Sequence, residues 1–180
     1  MDTFIEQIVK KKKTPLEYLI IVGTALLAVV LVLAVWVVMA PLVLFALAAV
    51  AFGAWWIITN QNNEFEYCVT NGDIDIDRII AKRKRKRLVS VAGRKVESLL
   101  PYDPAKPTNG YQRVVMTAPS LKEPGLWSFT YHSKKNGHTL VVFQPDQRVL
   151  KALYAGLPKL VQIDTSRAMR ELGMDESVIC

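Results

Sequence analysis

Residues 18–63 read YLIIVGTALLAVVLVLAVWVVMAPLVLFALAAVAFGAWWIITNQNN, 46 residues without one charged side chain. Charge-free stretches of roughly 18 residues or more read as membrane spans. In a chain of 180 residues with 51% hydrophobic side chains, this run excludes an ordinary soluble globule. It also excludes a disordered chain, which would need low hydrophobicity. A single helix over residues 18–59 would be about 63 Å long, against a hydrocarbon core of roughly 30 Å. The run must therefore fold back. Pro41 marks the place, because proline suits a first helical turn and disrupts a helix interior. The reading is a tight hairpin of two helices, residues 18–39 and 41–59. Ala46, Ala49 and Gly53 offer small residues for close packing against the first helix.

The flanks set the orientation. Lys10, Lys11, Lys12 and Lys13 precede the run, and Lys82, Arg83, Lys84, Arg85, Lys86 and Arg87 follow it. The turn at Ala40-Pro41 carries no charge. By the positive-inside rule both termini are cytoplasmic, with the apolar hairpin integral to the membrane. Tyr18 and the pair Trp55–Trp56 fall at one expected interface and Trp36 near the other, as interfacial anchors do. A signal peptide is the rival reading, but its apolar region should be about 7–15 residues. No ionisable residue lies inside either span, which argues against a proton or ion path. Residues 1–17 form a basic N-terminal segment. Its apolar positions Phe4, Ile5, Ile8 and Val9 suit either an interfacial helix or a frayed start.

Residues 64–161 read as a β-domain. Phe65, Tyr67 and Val69 alternate with polar neighbours, Asn71-Gly72 is a strong hairpin signal, and residues 73–77 alternate again. The basic run should occupy the next turn, with a strand over 87–91. Residues 96–100 read as helical or irregular. Further strands are expected at 111–117, 126–132 and 138–143, with Trp127, Phe129 and Tyr131 on a core face. Val149, Leu150, Leu153, Tyr154, Leu157 and Val161 then recur at helical spacing, opening near Asp146. Residues 162–180 read as a tail, with some helical character over 166–172. The fold class is α+β: a transmembrane hairpin, then a small rolled sheet with a C-terminal capping helix.

Two membrane helices followed by Glu64-Phe65-Glu66-Tyr67-Cys68-Val69-Thr70-Asn71-Gly72-Asp73 resemble uncharacterised bacterial membrane proteins that carry a PH-like domain. The resemblance covers most of the chain and implies a PH-like split barrel. It supplies no function. Phosphoinositide-binding PH domains use bases around the first hairpin, whereas that turn here is Asn71-Gly72-Asp73. Their lipid site is therefore not carried over.

The six-base run is the most informative polar feature. Beside a membrane anchor, Lys10–Lys13 and Lys82–Arg87 read as contacts for anionic headgroups, each base worth about 1 kcal/mol near the surface. The competing reading is a solvated tip paired with Asp73, Asp75 and Asp77. Nucleic acid is disfavoured, since no aromatic is interleaved for stacking. Asp73-x-Asp75-x-Asp77 fails the calcium-loop pattern, with Arg78 and Lys84 at the positions needing Gly and Glu. His132 and His138 flank a turn in a register not expected to set them opposite each other, and no third zinc ligand is apparent. Cys68 and Cys180 lack metal or disulfide spacing. No catalytic motif is present, so neither metal, cofactor nor enzyme activity is expected. Two functions remain: a membrane-anchored adaptor contacting anionic lipid or a protein partner at the inner leaflet, or an accessory subunit of a larger complex docking through its β-domain.

Overall fold

The structure is a computed structural model and describes residues 3–105 and 108–173. Among the described residues, eight strands and four α-helices follow one another. They are β1 Phe4–Lys10, α1 Pro15–Val38, α2 Val43–Asn60, β2 Asn63–Thr70, β3 Asp73–Ile80, β4 Lys84–Val91 and β5 Val96–Pro101. After these come β6 Arg113–Met116, β7 Trp127–Ser133, β8 Gly137–Phe143, α3 Gln147–Ala155 and α4 Lys159–Glu171. The chain divides into two compact units. The helical unit is Lys12–Asn63 together with Ile80–Lys84; the β unit takes the remainder.

In the helical unit, Pro15–Val38 and Ala40–Asn60 have mean hydropathies of 2.9 and 2.2 and are long and apolar enough to cross a membrane. The first helix begins three residues before the expected Tyr18. Thr14-x-x-Glu17 forms a capping box: the Glu17 N–H donates to Thr14 Oγ1, the Thr14 N–H donates to Glu17 Oε2, and Pro15 takes the first helical position. A 3-10 turn, Ala40–Leu42, makes the reversal that Pro41 predicts. Ile21, Thr24, Ala28, Val32 and Val35 form the half-buried stripe of α1. Val43, Ala46, Val50 and Gly53 do the same on α2. Ala49 lies outside that stripe, and a Cβ on Gly53 would meet nothing within 4 Å. The expected three-residue small seam therefore reduces to Ala46 and Gly53, with no enforced close approach.

The β unit holds two four-stranded sheets, ordered β1-β2-β3-β4 and β5-β7-β8-β6, and neither closes into a barrel. Phe65, Tyr67, Val69, Ile74 and Ile76 from the first sheet meet Trp127, Phe129, Val141 and Phe143 from the second in one core. Phe129 and Tyr67 each set an edge-to-face ring contact on Phe143. Helix α3 buries Val149, Leu150 and Leu153, and Asp146 caps it by accepting from the Val149 N–H at 2.8 Å. Helix α4 buries Val161, Thr165 and Met169, and Thr165 Oγ1 reaches the β5 carbonyl of Leu99 at 2.8 Å.

Three expectations are corrected here. Residues 4–10 are a strand, not an interfacial helix or a frayed start. β1 pairs antiparallel with β2 from Phe4↔Thr70 to Lys10↔Glu64. Ile5 and Val9 turn toward the core while Phe4 and Ile8 stay exposed, so the period is two. Residues 96–101 are a strand because Val96 and Leu99 are buried across an irregular register with β7. Two helices, not one, close the chain: Gly156 ends α3 and Pro158 precedes α4, which runs through the expected tail to Glu171. The rest of that tail, residues 174–180, lies outside the described residues.

Candidate membrane-facing site

The six-base run divides by local geometry. Ile80–Arg83 is a tight turn closed by the Arg83 N–H donating to the Ile80 carbonyl at 3.1 Å. Its two central residues, Ala81 and Lys82, have φ of 54° and 56°. Left-handed backbone costs an L-residue roughly 1–2 kcal/mol each, and most such turns use Asn or Gly. Here the turn is held from outside: the Ala81 N–H donates to the Asn62 carbonyl, just past α2, at 2.7 Å. The Arg83 guanidinium then lies over both indoles at the end of that helix, 5.5 Å from the Trp55 ring and 5.4 Å from the Trp56 ring. Such stacks contribute about 0.5–2 kcal/mol depending on desolvation. Lys82 and Lys84 are exposed and carry no ion pair among the described residues.

The next bases behave differently. Arg85 meets Glu66 at 2.8 Å and Asp77 at 3.9 Å. Arg87 meets Asp75 at 2.7 Å and is hydrogen-bonded to Asp77 through Nε. The Asp77 and Glu66 side chains are only 7% and 6% exposed, so these arginines neutralise carboxylates with little access to water. Asp73 has a separate task and accepts from the Gly93 N–H at 3.0 Å. The acid-paired reading of the basic run therefore holds for Arg85 and Arg87, whereas none of Lys82, Arg83 and Lys84 is paired with these carboxylates. Lys86 is exposed on β4.

Around Glu66 the same face gathers Glu6 and Cys68. Burial raises the Glu66 carboxyl above its ordinary value, and its hydrogen bond with Glu6 adds to this against the pull of Arg85. Burial likewise pushes the Cys68 thiol up, which makes it a poor nucleophile. Cys180 lies outside the described residues.

Of the N-terminal bases, Lys10 ends β1 opposite Glu64, and Lys11, Lys12 and Lys13 connect to α1. Tyr18 is exposed in the first turns of α1, Trp36 near its far end, and Trp55 and Trp56 near the end of α2.

The Tyr67–Gly72 stretch, which carries the PH-like resemblance, proves to be structural. Tyr67 is fully buried; its hydroxyl donates to the Thr117 carbonyl at 2.6 Å and accepts from the Gln144 N–H at 3.3 Å. Burial pushes that phenol up to about 12. The Asn71-Gly72 turn packs against the end of α3, so that a Cβ on Gly72 would sit 2.4 Å from Gly156 Cα. No base lies on that turn.

One register expectation is corrected. His132 and His138 are directly opposite each other, since Ser133 pairs with Gly137 and only residues 134–136 form the loop. Left-handed Gly137, at φ 64°, suits this three-residue loop. His138 Nε2 sits 3.2 Å from Glu97, and its ring is 5.0 Å from that of Tyr111. A cavity of about 230 Å³ on the second sheet is lined by Ser98, Ser128 and Thr130 among others. Those hydroxyls bond to one another or to the Leu100 carbonyl.

The Arg83–tryptophan stack and the strand β1 were not legible in the sequence. The adjacency of Asn62 and Ala81 has no local signal, and the Phe4–Val9 spacing fits a helix as well as a strand.

The chain matches no curated protein and no solved structure. A family model described as a bacterial PH-like domain matches residues 1–163, spanning the apolar hairpin, both sheets and α3. The chain therefore belongs to the bacterial PH-like domain family (DUF6106).

Proposed function

We propose that this protein is a membrane-anchored adaptor whose PH-like domain binds at the inner leaflet and performs no chemistry. The observation that carries this reading is the chain order of the apolar hairpin and the two strands that flank it. The hairpin is inserted between β1 and β2, which pair side by side. Four residues join β1 to α1 and two join α2 to β2. Antiparallel pairing brings the two ends of the insertion together at Lys10 and Glu64. A chain that leaves β1 and re-enters β2 at paired residues suits a hairpin with both ends on one side of the bilayer. The flanking lysines favour the cytoplasmic side.

The supporting test is carbonate extraction of the full chain, then vesicle association scored against anionic lipid fraction and salt. An integral protein whose β unit becomes protected from protease only on anionic vesicles, and less so at high salt, is the expected result. Protection independent of lipid charge would count against lipid contact.

The accessory-subunit reading has one observation of its own. β6 pairs only with β8 among the described residues, leaving an edge on which Val114 and Met116 are 37% and 39% exposed. Sheet edges accept an added strand from a partner. A stoichiometric partner in mild detergent, lost on changing Val114 to Lys, would favour it.

A further inference from the structure

The geometry points to an anionic phospholipid headgroup site at the turn Lys82-Arg83-Lys84, with Arg83 set in position by Trp55 and Trp56. This rests on the membrane-spanning reading and goes further, naming three bases of the six and the lipid phosphodiester they take.

Four observations converge. The turn adopts two successive left-handed residues without glycine, and the Asn62 carbonyl fixes it through the Ala81 N–H. Strain of that kind persists only where surroundings over-determine it, and it clusters at ligand clamps. The Arg83 guanidinium covers both indoles, yet Trp55 and Trp56 remain 52% and 48% exposed. Indoles at the end of an apolar helix settle at headgroup depth, so a guanidinium stacked on them is held at that depth too. The helical unit carries five bases, Lys12, Lys13, Lys82, Arg83 and Lys84, against one acid, Glu17. Glu17 is engaged in the α1 capping box. Finally, Arg85 and Arg87 face Glu66, Asp75 and Asp77, which removes them from the contact.

A planar guanidinium with a lysine on either side matches a phosphodiester: Arg offers paired N–H donors and the lysines add charge. A free phosphate shares this chemistry. The tryptophans favour the lipid, because an acyl-bearing ligand brings apolar surface to the exposed indoles.

The test uses the full chain reconstituted in phosphatidylcholine vesicles containing spin-labelled phosphatidylglycerol or spin-labelled phosphatidylcholine. Electron spin resonance reads the motionally restricted lipid fraction. Each base near an anionic surface contributes roughly a fivefold preference. The wild type should therefore favour phosphatidylglycerol by about tenfold or more. Lys82→Gln/Arg83→Gln/Lys84→Gln should abolish most of this, and Lys86→Gln should leave it within about twofold. Trp55→Phe/Trp56→Phe, which keeps two rings but weakens the cation–π contact, should lower it part-way. An unchanged preference in the triple variant overturns the site. Displacement of phosphatidylglycerol by excess inorganic phosphate at constant ionic strength overturns the lipid assignment. Integration without any phosphatidylglycerol preference sinks this inference alone, whereas failure to integrate sinks the membrane reading as well.

Discussion

Tyr67 shows how one residue can anchor a fold while looking like part of a ligand motif. Its ring fills the core, and its hydroxyl satisfies two backbone groups from other segments. Tyr67→Phe leaves a buried carbonyl and N–H without that partner and should cost about 1–3 kcal/mol, read from urea unfolding of the β unit. Glu66 gives a pH prediction. Its carboxyl lies above the ordinary 4.5 because burial, then Glu6, disfavours the charge. Folding therefore favours the protonated form. The stabilisation is complete below about 4.5 and is lost as pH rises through the folded value. Glu66→Gln lacks this loss, so its melting temperature relative to wild type should climb as pH rises from about 4 to 7. A constant difference across that range would contradict the assignment. Alternation made Tyr67 legible in the sequence as a core residue. The burial of Glu66 was not legible, because it depends on Arg85 and Glu6 arriving from other strands.

At the scale of elements, the apolar spans and most strands followed from pattern: period two in β2, β3 and β7, the Asn136-Gly137 turn signal before the run of β8, and Pro41 at the reversal. Where patterning was ambiguous, tertiary pairing decided. Phe4, Ile5, Ile8 and Val9 fit a helix locally, yet pairing with β2 turns Ile5 and Val9 onto the core. Gln7 reinforces the strand, donating to the Gln144 carbonyl at 3.1 Å and accepting from the Asp146 N–H at 2.7 Å. Three glycines join the loops at the other end of β2. A Cβ on Gly156 would lie 2.4 Å from Gly72 Cα, and one on Gly93 would lie 2.3 Å from the Gly72 carbonyl oxygen. Neither clash can be relieved by a side-chain rotation, because the obstructing atoms are backbone. Gly156→Ala should therefore destabilise the β unit by about 1–3 kcal/mol, although alanine suits a helix end better in isolation. A denaturation midpoint equal to wild type would contradict this packing.

For the whole molecule, the insertion of the hairpin between two paired strands has a direct consequence for dissection. A fragment starting at Glu64 loses β1, bares the β2 edge and removes Ile5 and Val9 from the core. It should aggregate or unfold more readily than the parent. Joining Lys10 to Glu64 through a short Asn-Gly turn, in place of residues 11–63, should instead give a soluble folded domain. Heteronuclear NMR of the two proteins distinguishes these outcomes: dispersed amides for the joined chain, and broadened or collapsed ones for the fragment. The sequence shows the hairpin plainly, because apolarity is local. It does not show the pairing across it, because that contact spans more than fifty residues.

The account stands or falls on the side of the membrane that carries the β unit. The most direct measurement is labelling of cells with a membrane-impermeant maleimide, using two single-cysteine proteins: native Cys180 in a Cys68→Ser background, and Lys86→Cys in a Cys68→Ser/Cys180→Ser background. The account predicts no labelling of intact cells and full labelling after permeabilisation. Labelling of either cysteine in intact cells would contradict it, placing the PH-like domain and its basic turn on the outer face.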